Sequence, residues 1–286
     1  MSLVENCIMN DGEIGIRDKV AISIDRLQAF EPPEGYYLAF SGGKDSQCIY
    51  QLALEAGVKF DAHYNVTTVD PPPLTRFIHD DYPDVIWDYP KKSMWQLIIE
   101  KKMPPTRQAR YCCQLLKEGE GKDRLCVTGV RRAESVKRSS RMPFEVVTRK
   151  KSDRILLNDN DEDRRFFENC TAKGKRVVNP IIDWTDNDVW EFIHSRELHY
   201  CSLYDEGFNR LGCIGCPLAS KKHMREEFAR FPEYRQAYIN TFDKMIESTE
   251  VKNADWKSGE DVMEWWTRDY SKDKVSPNNM ILEGFG

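Results

Sequence analysis

Tyr36-Tyr37-Leu38-Ala39-Phe40-Ser41-Gly42-Gly43-Lys44-Asp45-Ser46 is the stretch of sequence that decides the fold of this chain. Its residues 36–40 are apolar or aromatic, which is typical of a short buried strand. Beyond it, Cys48, Ile49 and Leu52 recur at helical spacing, and Gly57 is placed to end that helix. A strand that passes through glycines into a helix exposes backbone N–H groups where anions bind. The stretch therefore predicts a phosphate-binding loop in an α/β protein.

The six residues 41–46 suit such a loop individually. Gly42 and Gly43 let the backbone approach an anion, and Lys44 adds a positive charge. Asp45 suits orientation of the loop or ligation of Mg²⁺. The hydroxyls of the flanking serines add hydrogen-bond donors, so the expected phosphate-binding residues are Ser41, Gly42, Gly43, Lys44, Asp45 and Ser46. The alternative interpretation is a tight strand-to-helix turn that binds no ligand.

Strand and helix patterns alternate on the C-terminal side of this loop. Strand patterns at 61–66, 85–87, 124–130 and 177–184 alternate with helical patterns at 94–101 and 111–117. Thr185 and Asp188, three residues apart, predict a capping-box-like start of a further helix. Such alternation is typical of a doubly wound, mainly parallel sheet with helices on both faces. Ligands bind such sheets beyond the carboxyl ends of the strands, where residues 41–46 would lie.

Composition limits the class of protein. Of the 286 residues, 40% are hydrophobic and 31% charged, and the net charge is −5, which favours a soluble globular protein without a general attraction to nucleic acid. There is no apolar run of about 20 residues and no leader-like N-terminus, so we expect a cytoplasmic protein without a membrane partner. Nine cysteines in a reducing compartment argue against a disulfide framework.

Positive charge is concentrated in residues 131–154, where nine Lys or Arg residues face three acids. Such a segment is either a solvated surface or an anion site. An arginine pair is sufficient for the phosphates of a nucleotide. The hypothesis for the remaining cations is contact with DNA or RNA, and it concerns Arg149, Lys150, Lys151 and Arg154.

Several motifs together resemble those of a known family. The loop 41–46 resembles the signature of the ATP pyrophosphatase superfamily, whose members split ATP between the α and β phosphates. Residues 129–138 (Gly-Val-Arg-Arg-Ala-Glu-Ser-Val-Lys-Arg), 179–190 (with Asp-Trp-Thr and Asp-Val-Trp) and 203–207 (Leu-Tyr-Asp-Glu-Gly) are similar to stretches of the phosphoadenosine phosphosulfate (PAPS) reductase-like family. The resemblance implies an adenine nucleotide alpha-hydrolase-like fold, ATP and Mg²⁺ as ligands, and catalytic roles for Lys44 and Asp45. It also implies that Arg131 and Arg138 meet phosphate or sulfate.

Four of the cysteines form two pairs along the sequence, Cys112-Cys113 and Cys213-x-x-Cys216. This pattern resembles the adenylyl-sulfate (APS) reductase branch, in which such pairs hold a [4Fe–4S] cluster. A four-cysteine Zn²⁺ site and free thiols are the alternatives. With this site the expected organisation is an N-terminal helical segment (1–34), a nucleotide-binding domain carrying the four cysteines (35–220) and a C-terminal helical extension (221–286).

Two departures from the family pattern direct the functional hypotheses. No cysteine follows Cys216, whereas both reductase branches attack the sulfonucleotide with a cysteine in a C-terminal tail. Residues 65–73 differ from the usual strand end, a region that helps select the sugar and phosphate pattern of the nucleotide, so we expect altered recognition of a 3′-phosphate. The first hypothesis is therefore an ATP pyrophosphatase that adenylates an acceptor for sulfur transfer, with a cysteine desulfurase or another sulfur donor as partner. The second is a sulfonucleotide reductase of sulfate assimilation, and the third a nucleotide-binding partner protein without turnover.

Overall fold

The computed structural model describes residues 2–8, 14–117, 121, 124–147, 155–157, 175–248 and 256–269. The chain forms two compact units, each built from segments that are separated in sequence. The first unit contains residues 1–65, 72–88 and 120–211, and the second contains residues 66–71, 89–119 and 212–286. The expected three-part division of the sequence stays a prediction.

The described strands all belong to the first unit. They are β1 (Val4–Ile8), β2 (Ile14–Asp18), β3 (Tyr36–Ala39), β4 (Phe60–Asn65), β5 (Ile86–Asp88), β6 (Cys126–Val127), β7 (Phe144–Val147), β8 (Ile155–Leu157) and β9 (Lys175–Val178). Strands β1 and β2 form an antiparallel hairpin. The other seven form one sheet in the order β5-β4-β3-β6-β9-β7-β8.

Five neighbouring strands of this sheet, from β5 to β9, run parallel. The strands β7 and β8 are antiparallel additions at the edge beyond β9. The prediction of a mainly parallel sheet is therefore confirmed. The antiparallel edge was not predicted, because its strands are short apolar runs next to a strongly charged segment.

The helices of the described residues are α1 (Lys19–Ala29), α2 (Lys44–Ala56), α3 (Pro72–Asp81), α4 (Met94–Lys101), α5 (Tyr111–Leu116), α6 (Asp186–Ser195), α7 (Lys221–Arg230), α8 (Pro232–Glu247) and α9 (Gly259–Thr267). Among them, no helix is long and apolar enough to cross a membrane. Helices α1, α2, α3 and α6 belong to the first unit, and α7 to α9 form the expected C-terminal helices in the second. Two sequence signals operate as predicted: Gly57 caps α2 with φ +68°, and Thr185 forms a capping box with Asp188 at the start of α6.

The position of β3 in the sheet defines where a ligand can bind. From β3 the chain proceeds through α2 and α3 to β4 and β5 on one side, and β6 and β9 lie on the other side. The strand order therefore reverses at β3. In open α/β sheets the crevice beyond the strand ends at such a reversal is the usual ligand site.

The second unit is built around aromatic side chains of its C-terminal helices. Trp266 of α9 is buried against Tyr238 of α8, and its indole N–H donates to the carbonyl of Pro105 at 2.7 Å. The Tyr238 hydroxyl donates to the carbonyl of Ile214 at 3.0 Å. Because Ile214 lies between Cys213 and Cys216, the aromatic core holds the C-x-x-C turn in place.

The turn at Gly215 gives a first testable prediction. Gly215 has φ +73°, and an added Cβ would lie 2.8 Å from Phe228 and 2.9 Å from Trp266. Gly215→Ala should therefore lower the free energy of unfolding by about 2–4 kcal/mol, from backbone strain and overpacking. Gly212→Ala is the matched control, since an added Cβ there meets no atom within 4 Å. Denaturant unfolding of both variants measures the difference, and equal stability would contradict a tightly packed turn.

Candidate active site

The loop after β3 is shaped by its glycines and by neighbouring elements. Gly42 has φ +70°, and an added Cβ would lie 2.7 Å from the side chains of Leu74 and Ile78 on α3. Gly129, just beyond β6, also has no space for a side chain, because a Cβ there would lie 3.0 Å from the backbone of Asp45. The segments that follow β3 and β6 therefore meet closely where the strand order reverses. Glycine is needed at both positions for this approach.

Two buried cations lie at the loop, each paired with carboxylates. Lys44 is 6% exposed and Arg131 is 2% exposed. Asp186 lies 3.2 Å from the Lys44 ammonium and 2.9 Å from Nη2 of Arg131. Asp45 accepts a hydrogen bond from Nε of Arg131 at 2.6 Å and lies 3.8 Å from the Lys44 ammonium. Two positive and two negative charges thus form a closed network, which is what buried charges require.

The predicted roles of Arg131 and Lys44 can be compared with these contacts. All three donor nitrogens of Arg131 are bonded within the chain, because Nη1 also reaches the carbonyl of Trp184 at 3.4 Å. In this arrangement Arg131 orients the two carboxylates, and its direct contact with phosphate stays a prediction. Lys44 is held more loosely, since its other contact is a 3.4 Å hydrogen bond to the carbonyl of Asn209.

The serines and backbone of the loop are organised by local hydrogen bonds. The Ser46 hydroxyl donates to the carbonyl of Gly43 at 2.8 Å, and the Ser41 hydroxyl lies 3.3 Å from that of Ser46. The backbone N–H of Lys44 donates to the Tyr204 hydroxyl at 2.8 Å. Burial raises the pKa of Tyr204, so its hydroxyl stays protonated and can donate a hydrogen bond to a ligand. The loop is thus held in place by hydrogen bonds within the chain.

Arg138 lies on a short 3₁₀ turn (Val136–Arg138) and pairs with Glu134. Burial lowers the pKa of its guanidinium, and the neighbouring cations Arg210 and Arg141 lower it further. The loop residue Asp45 acts to raise the pKa of Arg138, so the two side chains interact electrostatically. Arg131 contacts the loop directly through Asp45, and the contact of either arginine with phosphate stays a prediction.

Three residues of this region were not among the predicted site residues: Asp186, Tyr204 and Arg210. Asp186 follows the N-cap Thr185 and opens α6, so an acid in a first helical turn was the available signal. Tyr204 lies in the motif 203–207, which was recognised by resemblance, but no role was predicted for its hydroxyl. Arg210 carried no pattern, and only the fold brings it near Arg138.

The four cysteines all lie in the second unit. The Cys112 thiol hydrogen-bonds Cys113, which together with Arg110 lowers the pKa of Cys113 to about 6. Burial raises the pKa of Cys213. Lys117 and Thr67 act to lower this pKa, and Cys216 acts to raise it further. A hydrogen bond to Cys113 and burial raise the pKa of Cys112, and Cys213 adds to the increase, so the two sequence pairs are close enough to interact.

This arrangement does not yet form a metal centre. Within the described ranges, no group of three or more His, Cys, Asp or Glu side chains is placed to hold a metal ion. The four thiols have the right chemistry for a cluster, but their binding of one stays a prediction, so no chemical step is routed through a cluster. Arg149, Lys150, Lys151 and Arg154, the predicted nucleic-acid contacts, lie outside the described residues.

Asp186 gives a prediction about pH. Partial burial acts to raise its pKa, but Lys44 and then Arg131 overcome this effect, so the pKa lies below the ordinary value. A carboxyl group with a depressed pKa stabilises the fold above its unfolded pKa of about 4, and this contribution is lost as the pH falls through its folded pKa.

Asp186→Asn should therefore be less stable than the wild type at neutral pH, and the difference should shrink below about pH 4. Because the side chain is 63% exposed, the loss should stay below about 1 kcal/mol. Unfolding at several pH values measures it, with Asp84→Asn at an exposed site as control. A difference that grows toward acid pH would contradict the network.

Comparison with known proteins supports the resemblance seen in the motifs. The family model for the phosphoadenosine phosphosulfate reductase domain matches residues 35–219. The protein MJ0066 of Methanocaldococcus jannaschii is 24% identical over 251 residues, which are 83% of this chain and 48% of that protein. The probable FAD synthase of Schizosaccharomyces pombe is 26% identical over 212 residues, 70% of this chain and 68% of that protein.

Among solved structures, phosphoadenylyl-sulfate (PAPS) reductase from Candida auris aligns with a TM-score of 0.44 and 16% identity, over 67% of this chain and 87% of that one. The chain spans about half the length of MJ0066. The family match covers well over half of the chain and includes the loop, both arginines and the C-x-x-C pair. The chain therefore belongs to the phosphoadenosine phosphosulfate reductase domain family, a family of nucleotide-using enzymes.

Proposed function

We propose that this chain is an ATP pyrophosphatase that adenylates an acceptor and so prepares it for sulfur transfer. The observation that carries the proposal is the network at the end of β3, in which buried Lys44 and Arg131 are paired with Asp45 and Asp186. A loop of backbone donors at a helix N-terminus, with one loosely held lysine beside it, suits a polyphosphate.

The proposed reaction uses these residues in one displacement. An acceptor oxygen attacks the α-phosphorus of ATP, the bond from that phosphorus to the bridging oxygen breaks, and pyrophosphate leaves with both electrons of that bond. Lys44 would neutralise the charge that develops on the leaving group. The terminal sulfur of a persulfide then attacks the activated atom of the acceptor, and AMP leaves with the acceptor oxygen. A second thiol of the sulfur donor breaks the remaining S–S bond, which releases the thiolated acceptor and leaves a disulfide on the donor.

Mg²⁺ would supply additional charge neutralisation, and its ligands would be Asp45 and Asp186. Mg²⁺ usually binds through one or two carboxylates together with substrate phosphates, and these two carboxylates flank the same cations. Asp186 is largely exposed, so it can exchange Lys44 for a metal ion without a change of fold. Arg131 would continue to orient both carboxylates.

The partners belong to the same proposal. The sulfur donor would be a cysteine desulfurase or another persulfide carrier, and the acceptor would be DNA, RNA or a smaller phosphate ester. The four cysteines Cys112, Cys113, Cys213 and Cys216 would bind a [4Fe–4S] cluster in preference to Zn²⁺, since their tandem pair suits the cluster better than a zinc site. The thiols require the reducing conditions of the cytoplasm.

A sulfonucleotide reductase is the second candidate, and the family match itself favours it. The two activities differ in their products. The proposed activity gives AMP and pyrophosphate from ATP when the acceptor is present, whereas a reductase releases sulfite from adenylyl sulfate with reduced thioredoxin. Sulfite release at a catalytic rate would contradict the proposal and indicate a reductase. Tight ATP binding without turnover, with every acceptor tested, would instead indicate a nucleotide-binding partner protein.

The loop prediction concerns ATP binding. Lys44→Ala and Gly43→Ala should each weaken binding at least about tenfold, because one removes the cation and the other places a Cβ where phosphate approaches. Gly43→Ala should still fold, since the nearest atoms to the added Cβ are 3.4 Å and 3.5 Å away. Calorimetry with a non-hydrolysable ATP analogue measures the affinity, and Lys59→Ala at an exposed position is the control. Unchanged affinity in both variants would remove the loop from the mechanism.

The cluster prediction concerns metal content. Protein purified without oxygen should be brown and contain about four irons per chain, and replacing any one of the four cysteines by serine should bleach it. Cys126→Ala, on a strand of the first unit, should keep the iron. Iron and zinc analysis distinguishes the alternatives, because stoichiometric zinc without iron would indicate a structural site.

A further inference from the structure

The N-terminus of α2 is capped by a side chain from a distant part of the sequence. Its N-cap residue is Gly43, which has no side chain to accept a hydrogen bond from the first turn. The backbone N–H of Lys44 instead donates to the Tyr204 hydroxyl at 2.8 Å, across 160 residues of sequence. Helices usually receive this hydrogen bond from a Ser, Thr, Asp or Asn at their own start. The Tyr204 hydroxyl therefore lies where an anion would meet the loop.

Aromatic neighbours hold the ring of Tyr204 in this position. Tyr204 ends a 3₁₀ turn (Ser202–Tyr204), and its ring packs edge-to-face on Trp190 of α6, with centroids 5.1 Å apart. The ring of Tyr200 lies 6.2 Å away at an angle of 71°. The Lys44 ammonium lies 6.0 Å from the centre of the Tyr204 ring. These contacts involve the ring and not the hydroxyl, so a phenylalanine would be held in the same way.

The proton of the Tyr204 hydroxyl is available to a ligand. The oxygen accepts the N–H of Lys44, and no group among the described residues accepts a hydrogen bond from the hydroxyl itself. Asp45 and Asp186 act on it electrostatically, but both carboxylates are already engaged by Arg131. A hydroxyl that accepts a hydrogen bond becomes a better donor, because the two hydrogen bonds polarise each other. The positive end of α2 is thus extended to the O–H group.

We propose that Tyr204 is a catalytic residue that donates a hydrogen bond to the β and γ phosphates of ATP and to pyrophosphate as it leaves. The inference rests on the proposed function, because it takes the loop as the site of ATP. No proton is transferred in this contact. The hydroxyl keeps its hydrogen and binds an oxygen of the leaving group, whose negative charge increases as the bond to the α-phosphorus breaks. Lys44 lies beside the same ring, so both donors serve the leaving group.

The test compares two tyrosine hydroxyls of the same aromatic cluster. Tyr204→Phe removes the donor and keeps the ring. Tyr200→Phe is the matched control, because the Tyr200 hydroxyl donates to the exposed Asp205 and not to the loop. Calorimetry measures the binding of inorganic pyrophosphate and of an ATP analogue with a methylene bridge between the α and β phosphates. Tyr204→Phe should bind both about tenfold more weakly, since a hydrogen bond to a charged oxygen is lost, and Tyr200→Phe should bind as the wild type does.

AMP is the control ligand, because it lacks the β and γ phosphates. Tyr204→Phe should bind AMP as the wild type does. A merely structural role of the hydroxyl, as the cap of α2, would instead weaken the binding of AMP and of pyrophosphate together. Thermal unfolding without ligand checks that both variants are folded.

The outcomes separate this inference from the proposed function. Unchanged or tighter binding of pyrophosphate by Tyr204→Phe would overturn the inference, and tighter binding would show that the hydroxyl competes with phosphate for the Lys44 N–H. An equal loss of AMP binding would overturn it too, as would absence of pyrophosphate binding by the wild type. If the wild type binds pyrophosphate through Tyr204 but does not bind the ATP analogue, the contact stands and the proposed function is contradicted.

Discussion

The pairing of two buried cations with two carboxylates at the end of β3 is the constraint on which the rest of the site depends. Lys44 and Arg131 come from different strand ends, and pairing with Asp45 and Asp186 offsets part of the cost of their burial. The network therefore requires β3, β6 and α6 to meet at one point. The fold supplies that meeting point, because the strand order reverses at β3.

The same constraint explains the glycines. Gly129 is needed because the chain after β6 passes within contact distance of the Asp45 backbone, and any side chain there would separate Asp45 from Arg131. Gly42 is needed because α3 lies directly against the loop. Both glycines are therefore required by the ionic network as well as by an approaching anion.

The sequence predicted the loop, the parallel sheet and both arginines, because each depends on local patterns or on recognised motifs. Gly57 and Thr185 are capping signals that act within a few residues, and these were correctly predicted. Asp186 and Arg210 were missed because their importance arises from partners that are distant in sequence. Neither hydrophobic periodicity nor motif spacing contains that information.

The segment 65–73, which departs from the family pattern, supports the cysteine turn of the second unit. From sequence it was expected to alter nucleotide selection, but residues 66–71 belong to the unit that contains the cysteines. The carbonyl of Val69 accepts a hydrogen bond from Ile214 at 2.8 Å, and Asp70 holds Thr67 through two hydrogen bonds of 2.7 Å.

Burial raises the pKa of Cys213, and Thr67 acts against this increase, so the two side chains are neighbours. The turn from Thr67 to Asp70 thus supports one member of the C-x-x-C pair, while Glu227 accepts a hydrogen bond from Gly215 at 2.9 Å within the same pair. A proline-rich segment with an internally bonded aspartate is well suited to this task, because it is stiff and has few unsatisfied polar groups. The segment 65–73 therefore supports the cysteine turn, and its effect on nucleotide selection stays a prediction.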